Sequence, residues 1–237
     1  MKLSLVIPCF NEAGNLPALV ARCQQAIAAA GGPSVMEILL VDNGSGDNTA
    51  TILPALVQQQ PGLKMVTVER NLGYGFGIWS GLQAADGEIV GWTHADMQTD
   101  PMDAVTALAL FGNTDRPATV FVKGTRRHRA LGDSIFTWGM AVFETCLLRV
   151  PLWDINAQPT LMPRRFMESW GTPPFDFSFD LFAYYAARRD HLSVIRIPVD
   201  FRQRLAGMSS WNVDWRSKMR LTRRIVAYSW RLFRSER

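Results

Sequence analysis

The sequence predicts an α/β fold, a doubly wound and mostly parallel sheet flanked by helices, followed by a basic amphipathic C-terminal helix. Three observations predict it. Short β-rich apolar runs alternate with stretches of helical spacing through the first half of the chain, and repeated strand–helix units wind into a largely parallel sheet. At 237 residues and 48% hydrophobic content the chain has material for one substantial core, and it is too short for two domains of usual size. Charge is divided along the length: from Arg202 onward ten Lys/Arg face only Asp214 and Glu236, a local balance of +8, so the total of +4 leaves −4 on the 201 residues before it. Residues 1–212 therefore read as the α/β domain and 213–237 as the tail helix.

The elements follow in order. Leu3 to Ile7, Glu37 to Val41, Lys64 to Val68, Ile89 to Trp92 and Thr119 to Val122 are the β-rich runs. Between them Leu16 to Ala30, Thr49 to Gln59, Phe76 to Ala85 and Met102 to Phe111 carry helical spacing. Gly112 to Pro117, Gly171 to Pro174 and Leu205 to Asn212 read as loops. No apolar run approaches the ~20 residues of a membrane-spanning helix, and Met1-Lys2-Leu3 lacks signal-peptide architecture, so a cytoplasmic protein is expected. Cys9, Cys23 and Cys146 lack metal-site spacing and read as buried free thiols.

In a doubly wound sheet ligands bind outside the carboxyl ends of the strands. There the sequence places Pro8-Cys9-Phe10-Asn11-Glu12, Asp42-Asn43-Gly44-Ser45-Gly46-Asp47, Arg70-Asn71-Leu72-Gly73 and His94-Ala95-Asp96-Met97-Gln98. Any one of these is good turn or N-cap chemistry; four at one sheet edge point to a site. On an extended segment Asp96 and Gln98 would face one way and present two oxygens to a divalent cation, Mg²⁺ or Mn²⁺, beside a departing diphosphate. The alternative, Asp96 as a helix cap, is weakened by Asp100, which stands directly before Pro101. Asp42 is placed to accept from a base or ribose, with Gly44 allowing close approach. The segment lacks GxGxxG, and no GxxxxGK[ST] occurs, against dinucleotide and P-loop readings.

From Leu3 to about Ser210 the chain resembles the family 2 glycosyltransferases of the GT-A fold, within them the polyprenyl-phosphate, dolichyl-phosphate mannose synthase-like group. The resemblance rests on LSLVIPCFNEAGNL, ILLVDNGSGDNT and RNLGYGFGIWSGLQAADGEIVGWTHADMQTDP. It places Pro8, Phe10, Asn11 and Glu12 at nucleotide-site positions and Asp42 at the base-recognition position; Asn43, Gly44, Asn71, Gly73 and Ala95 fall in the same segments. It implies an inverting transferase using a divalent cation at Asp96 and Gln98, a UDP- or GDP-linked sugar donor and a lipid-phosphate acceptor. His94 replaces the first Asp of the family's Asp-x-Asp motif. It is left as a metal ligand, a hydrogen-bonding partner of ribose or phosphate, or a wall residue.

Lys123-Gly124-Thr125-Arg126 resembles the strand end that supplies a cation near the acceptor phosphate, although with Arg127 and Arg129 close by it also reads as a solvated loop. Asp154 to Gln158 stands where relatives carry an acceptor loop, without its Gly-Phe. Asp180 matches an acidic position that serves as a base in some members, or is a helix-surface carboxylate. Phe201 to Ser209 resembles the terminal F-x-x-R-x-x-G-x-S segment, giving Arg204 and Ser209 a diphosphate-clamping role.

A helix from Trp215 to Arg234 would gather Leu221, Ile225, Tyr228 and Leu232 in one stripe, with Trp215, Met219, Val226, Trp230 and Phe233 beside it and arginines on the remaining arc. That composition suits the cytoplasmic membrane surface and equally suits packing on the body. No nucleic-acid module accompanies the basic tail, and no nucleic-acid partner is expected. Three functions follow: transfer to a lipid phosphate, transfer to a hydroxyl of a glycan or other soluble acceptor, and an inactive nucleotide-sugar-binding scaffold.

Overall fold

The computed structural model of the protein describes residues 1–127, 131–202 and 215–235. The first half alternates as expected: β1 (Leu3–Cys9), α1 (Leu16–Ala30), β2 (Met36–Asn43), α2 (Thr49–Val57), β3 (Leu63–Val68), α3 (Tyr74–Gln83), β4 (Ile89–Trp92) and α4 (Pro101–Gly112). The second half adds β5 (Val120–Arg127), α5 (Leu131–Leu148), β6 (Thr160–Pro163), α6 (Arg164–Glu168), α7 (Phe179–Arg189), β7 (Ser193–Asp200) and α8 (Trp215–Ser235).

The seven strands form one sheet in the order β3-β2-β1-β4-β6-β5-β7. β1, β2, β3 and β4 are parallel, β5 pairs parallel with β7, and only β6 runs antiparallel, between β4 and β5. The chain moves outward from β1 through β2 to β3 and then returns to β1's other side with β4. That reversal opens the crevice between β1 and β4 in which doubly wound sheets bind ligands.

Alternate residues of the strands supply two apolar layers. Leu3, Leu5 and Ile7 face α1 and α4, whereas Val6, Leu39, Val41 and Trp92 face α3, α6 and α7. Both sides of β1 and β2 are covered, so these strands read as continuous apolar runs. Asp100 caps α4 by accepting the Met102 N–H at 2.9 Å, with Pro101 in the first turn, which frees Asp96 from that duty. Cys9 and Cys23 are buried free thiols, as expected; Cys146 departs from the expectation and is exposed on α5.

α8 lays Ile225, Tyr228, Leu232 and Phe233 against the second apolar layer and leaves Met219 and Trp230 exposed. It is tied to α5 by a buried hydrogen bond in which Ser229 Oγ donates to Glu144 Oε1 at 2.8 Å. Among the described residues no helix is long and apolar enough to cross a membrane.

Candidate active site

The loops after β1, β2, β3 and β4 interlock at the carboxyl edge. Asn11 donates its backbone N–H to Ser45 Oγ (3.1 Å) and accepts the Gly46 N–H on Oδ1 (2.8 Å). Glu12 N–H reaches Thr49 Oγ1 at 2.9 Å. Asp42, buried at the end of β2, accepts the Ser45 N–H at 3.1 Å. Asn43 donates from Nδ2 to the Gly73 carbonyl (3.0 Å), and Asn71 Oδ1 accepts the Gly73 N–H (2.8 Å). Gly44 takes φ +69°, and a Cβ there would lie 2.4 Å from the Asn71 nitrogen. Gly73 takes φ +128°, and a Cβ there would lie 2.2 Å from the Phe175 carbonyl oxygen. The glycines are therefore where two loop backbones touch.

Most nucleotide-site candidates thus have a structural duty in the cluster as well. Their fixed backbone leaves a preorganised rim on which Phe10, 41% exposed, projects an apolar ring and Pro8 stands half-buried. Asn43 Oδ1 is buried without a hydrogen-bond partner among the described residues, an acceptor with capacity to spare.

The segment after β4 does not take the extended form expected for Asp96 and Gln98. Met97 between them has φ +59°, and the Gln98 N–H donates to Asp96 Oδ1 at 3.1 Å, closing a tight turn. Aspartate favours this because its short side chain bonds its own backbone two residues on. Gln98 donates from Nε2 to the Arg202 carbonyl at 3.2 Å, and the Arg202 N–H donates to the Gln98 carbonyl at 2.9 Å. With its nitrogen engaged, the Gln98 amide has its oxygen to offer. One buried carboxylate and one amide oxygen are hard donors suited to Mg²⁺ or Mn²⁺. Among the described residues no group of three or more His, Cys, Asp or Glu could hold a metal by itself. The residues fit a cation whose shell is shared with a ligand's phosphates.

His94 and buried Ala95 enter that turn. The His94 ring stacks on Tyr74 (6.0 Å between centroids), which stacks on Phe177 (4.9 Å). An aromatic floor therefore runs from α3 and the start of α7 to the β4 loop. Tyr74 was not singled out by sequence, nor was Trp92; their only local signal is an aromatic placed at a strand or helix end.

Arg126, near the end of β5, is not part of a solvated arginine cluster. Asp154 accepts its N–H at 2.9 Å and its Nε at 2.9 Å, with a further contact from the guanidinium, and the guanidinium lies 5.4 Å from the Phe201 ring centroid. Arg127 instead lines a cavity of about 180 Å³ with Asp100, Asp103, Pro198, Asp200 and Arg202. Burial, and then the neighbouring Asp100, push the Asp103 carboxyl up to about 6.

Asp180 is buried, with 2% of its surface exposed, rather than on a helix surface. Its Oδ1 accepts from Trp92 Nε1 (3.1 Å) and Gln158 Nε2 (2.6 Å) and lies 3.6 Å from Lys123 Nζ. Burial pushes the Lys123 ammonium down to about 8, with the Asp180 charge opposing the shift. Arg129, Arg204 and Ser209 lie outside the described residues.

Sheet order and switch-point loops together define a GT-A-type α/β protein. The chain belongs to Glycosyl transferase family 2, whose profile matches residues 4–175. It is 40% identical over 102 residues to the undecaprenyl-phosphate 4-deoxy-4-formamido-L-arabinose transferase of Serratia proteamaculans, covering 42% of this chain and 30% of that one. It is 29% identical over 157 residues to the dodecaprenyl-phosphate galacturonate synthase of Rhizobium johnstonii, covering 66% and 41%. The chain thus matches less than half the length of these relatives. Its fold matches glucosyl-3-phosphoglycerate synthase from Mycobacterium tuberculosis, solved with Mn²⁺, uridine diphosphate and glucosyl-3-phosphoglycerate, with a TM-score of 0.68 at 18% identity over 95% of this chain and 77% of that one.

Proposed function

We propose that the chain is an inverting glycosyltransferase that moves a sugar from a UDP- or GDP-linked donor to a polyprenyl-phosphate-type lipid acceptor. The observation that carries the reading is the convergence of four loops at the β1/β4 switch point, with Asp96 and Gln98 in one turn. The curated relatives named above, which act on polyprenyl phosphates, support the acceptor class.

Asp96 and Gln98 would hold a divalent cation, which when bound would supply charge stabilisation for the leaving nucleoside diphosphate. This chain's own residues do the rest. The loops after β1 and β2, with Asp42 and the rim at Phe10, hold the nucleoside. Arg126, whose Nε and Nη2 edge is held by Asp154, offers the acceptor phosphate the guanidinium edge that Asp154 does not occupy. An acceptor phosphate oxygen attacks the anomeric carbon as the bond from that carbon to the diphosphate oxygen breaks. The new bond is a phosphodiester, and no proton need be removed, because a phosphate is already ionised near neutral pH. That agrees with Asp180 being buried and engaged. A hydroxyl acceptor would instead require a base.

We place the chain peripherally at the cytoplasmic membrane face through α8. Exposed Met219 and Trp230, exposed Arg223, Arg224 and Arg234, and the exposed Trp138 and Val142 of neighbouring α5 support this.

The reading is tested with radiolabelled UDP- and GDP-sugars, Mn²⁺ or Mg²⁺, and polyprenyl phosphate in detergent. Label entering the lipid phase, lost in Asp96→Ala and with chelator, is expected. Label passing only to soluble hydroxyl acceptors would overturn it.

A further inference from the structure

Beneath the loops, four buried side chains close a ring. Lys123 Nζ donates to Thr160 Oγ1 at 3.0 Å, Thr160 Oγ1 donates to Gln158 Oε1 at 3.0 Å, and Gln158 Nε2 donates to Asp180 Oδ1 at 2.6 Å. The Lys123–Asp180 ion pair at 3.6 Å completes the circuit, and Trp92 Nε1 adds a third contact to the same carboxylate oxygen. The three hydrogen bonds run one way, from Lys123 to Asp180, and the ion pair closes the circuit from the other side, so the ammonium donates at both of its contacts, the carboxylate accepts at both of its own, and the members polarise and orient one another. None is more than 2% exposed.

The ring bears on a residue outside it. Gln158 ends the segment that begins at Asp154. That segment is folded back by the Ala157 N–H donating to the Asp154 carbonyl (3.0 Å) and joined to β5 by the Gly124 N–H donating to the Pro159 carbonyl (3.0 Å). Asp154, itself buried, is what holds Arg126 by backbone and guanidinium. A connected path runs from Asp180 through the Gln158 side chain and the 154–158 turn to the Arg126 fork. If the ring opens, the end of that turn loses the side-chain contacts of Gln158 to Asp180 and Thr160, and Asp154 can shift with it.

We propose that Asp180 is a positioning residue which, through Gln158 and Asp154, sets the guanidinium of Arg126 for the acceptor phosphate. This rests on the reading of Arg126 given under Proposed function. It assigns no proton transfer to Asp180, in contrast to the base that the matching acidic position provides in some family members. It also gives Gln158 a function that a base mechanism would not.

The test compares Asp180→Asn, Gln158→Leu and Arg126→Ala in the full chain, using polyprenyl phosphate as acceptor, by separate KM values for donor and acceptor, kcat and its pH profile. Asp180→Asn keeps an oxygen for Trp92 and Gln158 but gives up the ion pair with Lys123, and is expected to raise acceptor KM while lowering kcat far less than the loss of a base would. Gln158→Leu is expected to raise acceptor KM by about tenfold, with donor KM unchanged. In an Arg126→Ala background Gln158→Leu should add nothing, since the two act as one unit. A loss of about a thousandfold in kcat for Asp180→Asn, with Gln158→Leu active, would make Asp180 a base and overturn the proposal. So would additive effects of Gln158→Leu and Arg126→Ala.

The Arg126 Nε–H resonance in ¹⁵N-labelled protein, identified by its disappearance in Arg126→Lys, reads the geometry whatever the acceptor. It should be slow to exchange in the wild type and broadened or fast-exchanging in Gln158→Leu. An unchanged resonance would overturn the proposal by itself. Failure of the wild type to glycosylate the lipid, with the resonance behaving as expected, would overturn the acceptor reading alone.

Discussion

Gly44 shows how far single atoms determine the rim. Its φ of +69° is costly for an L side chain, and the nearest backbone, at Asn71, leaves no room for a methyl group. Gly44→Ala should cost ~2 kcal/mol, lowering the melting temperature by roughly 4–8 °C. Because Asn71 and Gly73 would have to move, nucleotide affinity measured by calorimetry with UDP or GDP and Mn²⁺ should fall by about tenfold or more. A variant that lost stability but bound nucleotide as well as the wild type would detach this loop contact from the site. The Asp96–Met97–Gln98 turn belongs to the same scale. The sequence shows two oxygen donors two apart, but whether they sit on a strand or in a turn depends on the φ of the residue between, which residue spacing does not report.

At the scale of elements, α5 and α8 meet through one buried carboxylate. Burial pushes the Glu144 carboxyl up from an ordinary value of 4.5 to about 7, a shift that its hydrogen bond from Ser229 only partly opposes. Between those values the folded chain holds a proton that the unfolded chain has released, so stability falls as pH rises from about 4.5 to about 7 and the loss is complete above that range. Glu144→Gln keeps an acceptor for Ser229 and removes the charge. It should be more stable than the wild type by ~1–2 kcal/mol at pH 8 and equal to it near pH 4.5, by urea midpoints at both pH values. A difference independent of pH would contradict this account of the helix pair.

The first five strands and four helices were legible, some to the residue, because β1 to β5 are apolar runs separated by amphipathic stretches. β6 was not: four residues, Thr160–Pro163, buried on both faces, carry no alternation and run against their neighbours. β7 and α5 were missed as well, α5 because its apolar residues lack a clean stripe. The four-loop edge could be read from strand ends alone. The Lys123–Asp180 ring could not, since it joins residues from β5, β6 and α7 whose proximity exists only once the antiparallel strand is in place.

For the molecule as a whole, the proposed function puts a sugar-transfer site and a lipid-facing surface on one chain. α8 docks one stripe and exposes another: Ile225, Tyr228 and Leu232 pack on the body while Trp230, 47% exposed, does not, which leaves Trp230 for the membrane contact proposed above. Trp230→Ala should leave the melting temperature nearly unchanged, as exposed substitutions do. It should weaken co-sedimentation with vesicles containing anionic lipid by about fivefold or more, and salt should weaken the wild type's binding too. Equal binding to neutral and anionic vesicles would remove the electrostatic part of that surface.

The central claim is that an acceptor phosphate oxygen becomes bonded to the sugar. ³¹P NMR of polyprenyl phosphate incubated with the enzyme, nucleotide-sugar and Mg²⁺ reads that bond directly. The account predicts that the phosphomonoester resonance is replaced by that of a phosphodiester while nucleoside diphosphate accumulates in equal amount, and that Asp96→Ala leaves the monoester intact. Donor consumed with the monoester resonance unchanged would contradict it.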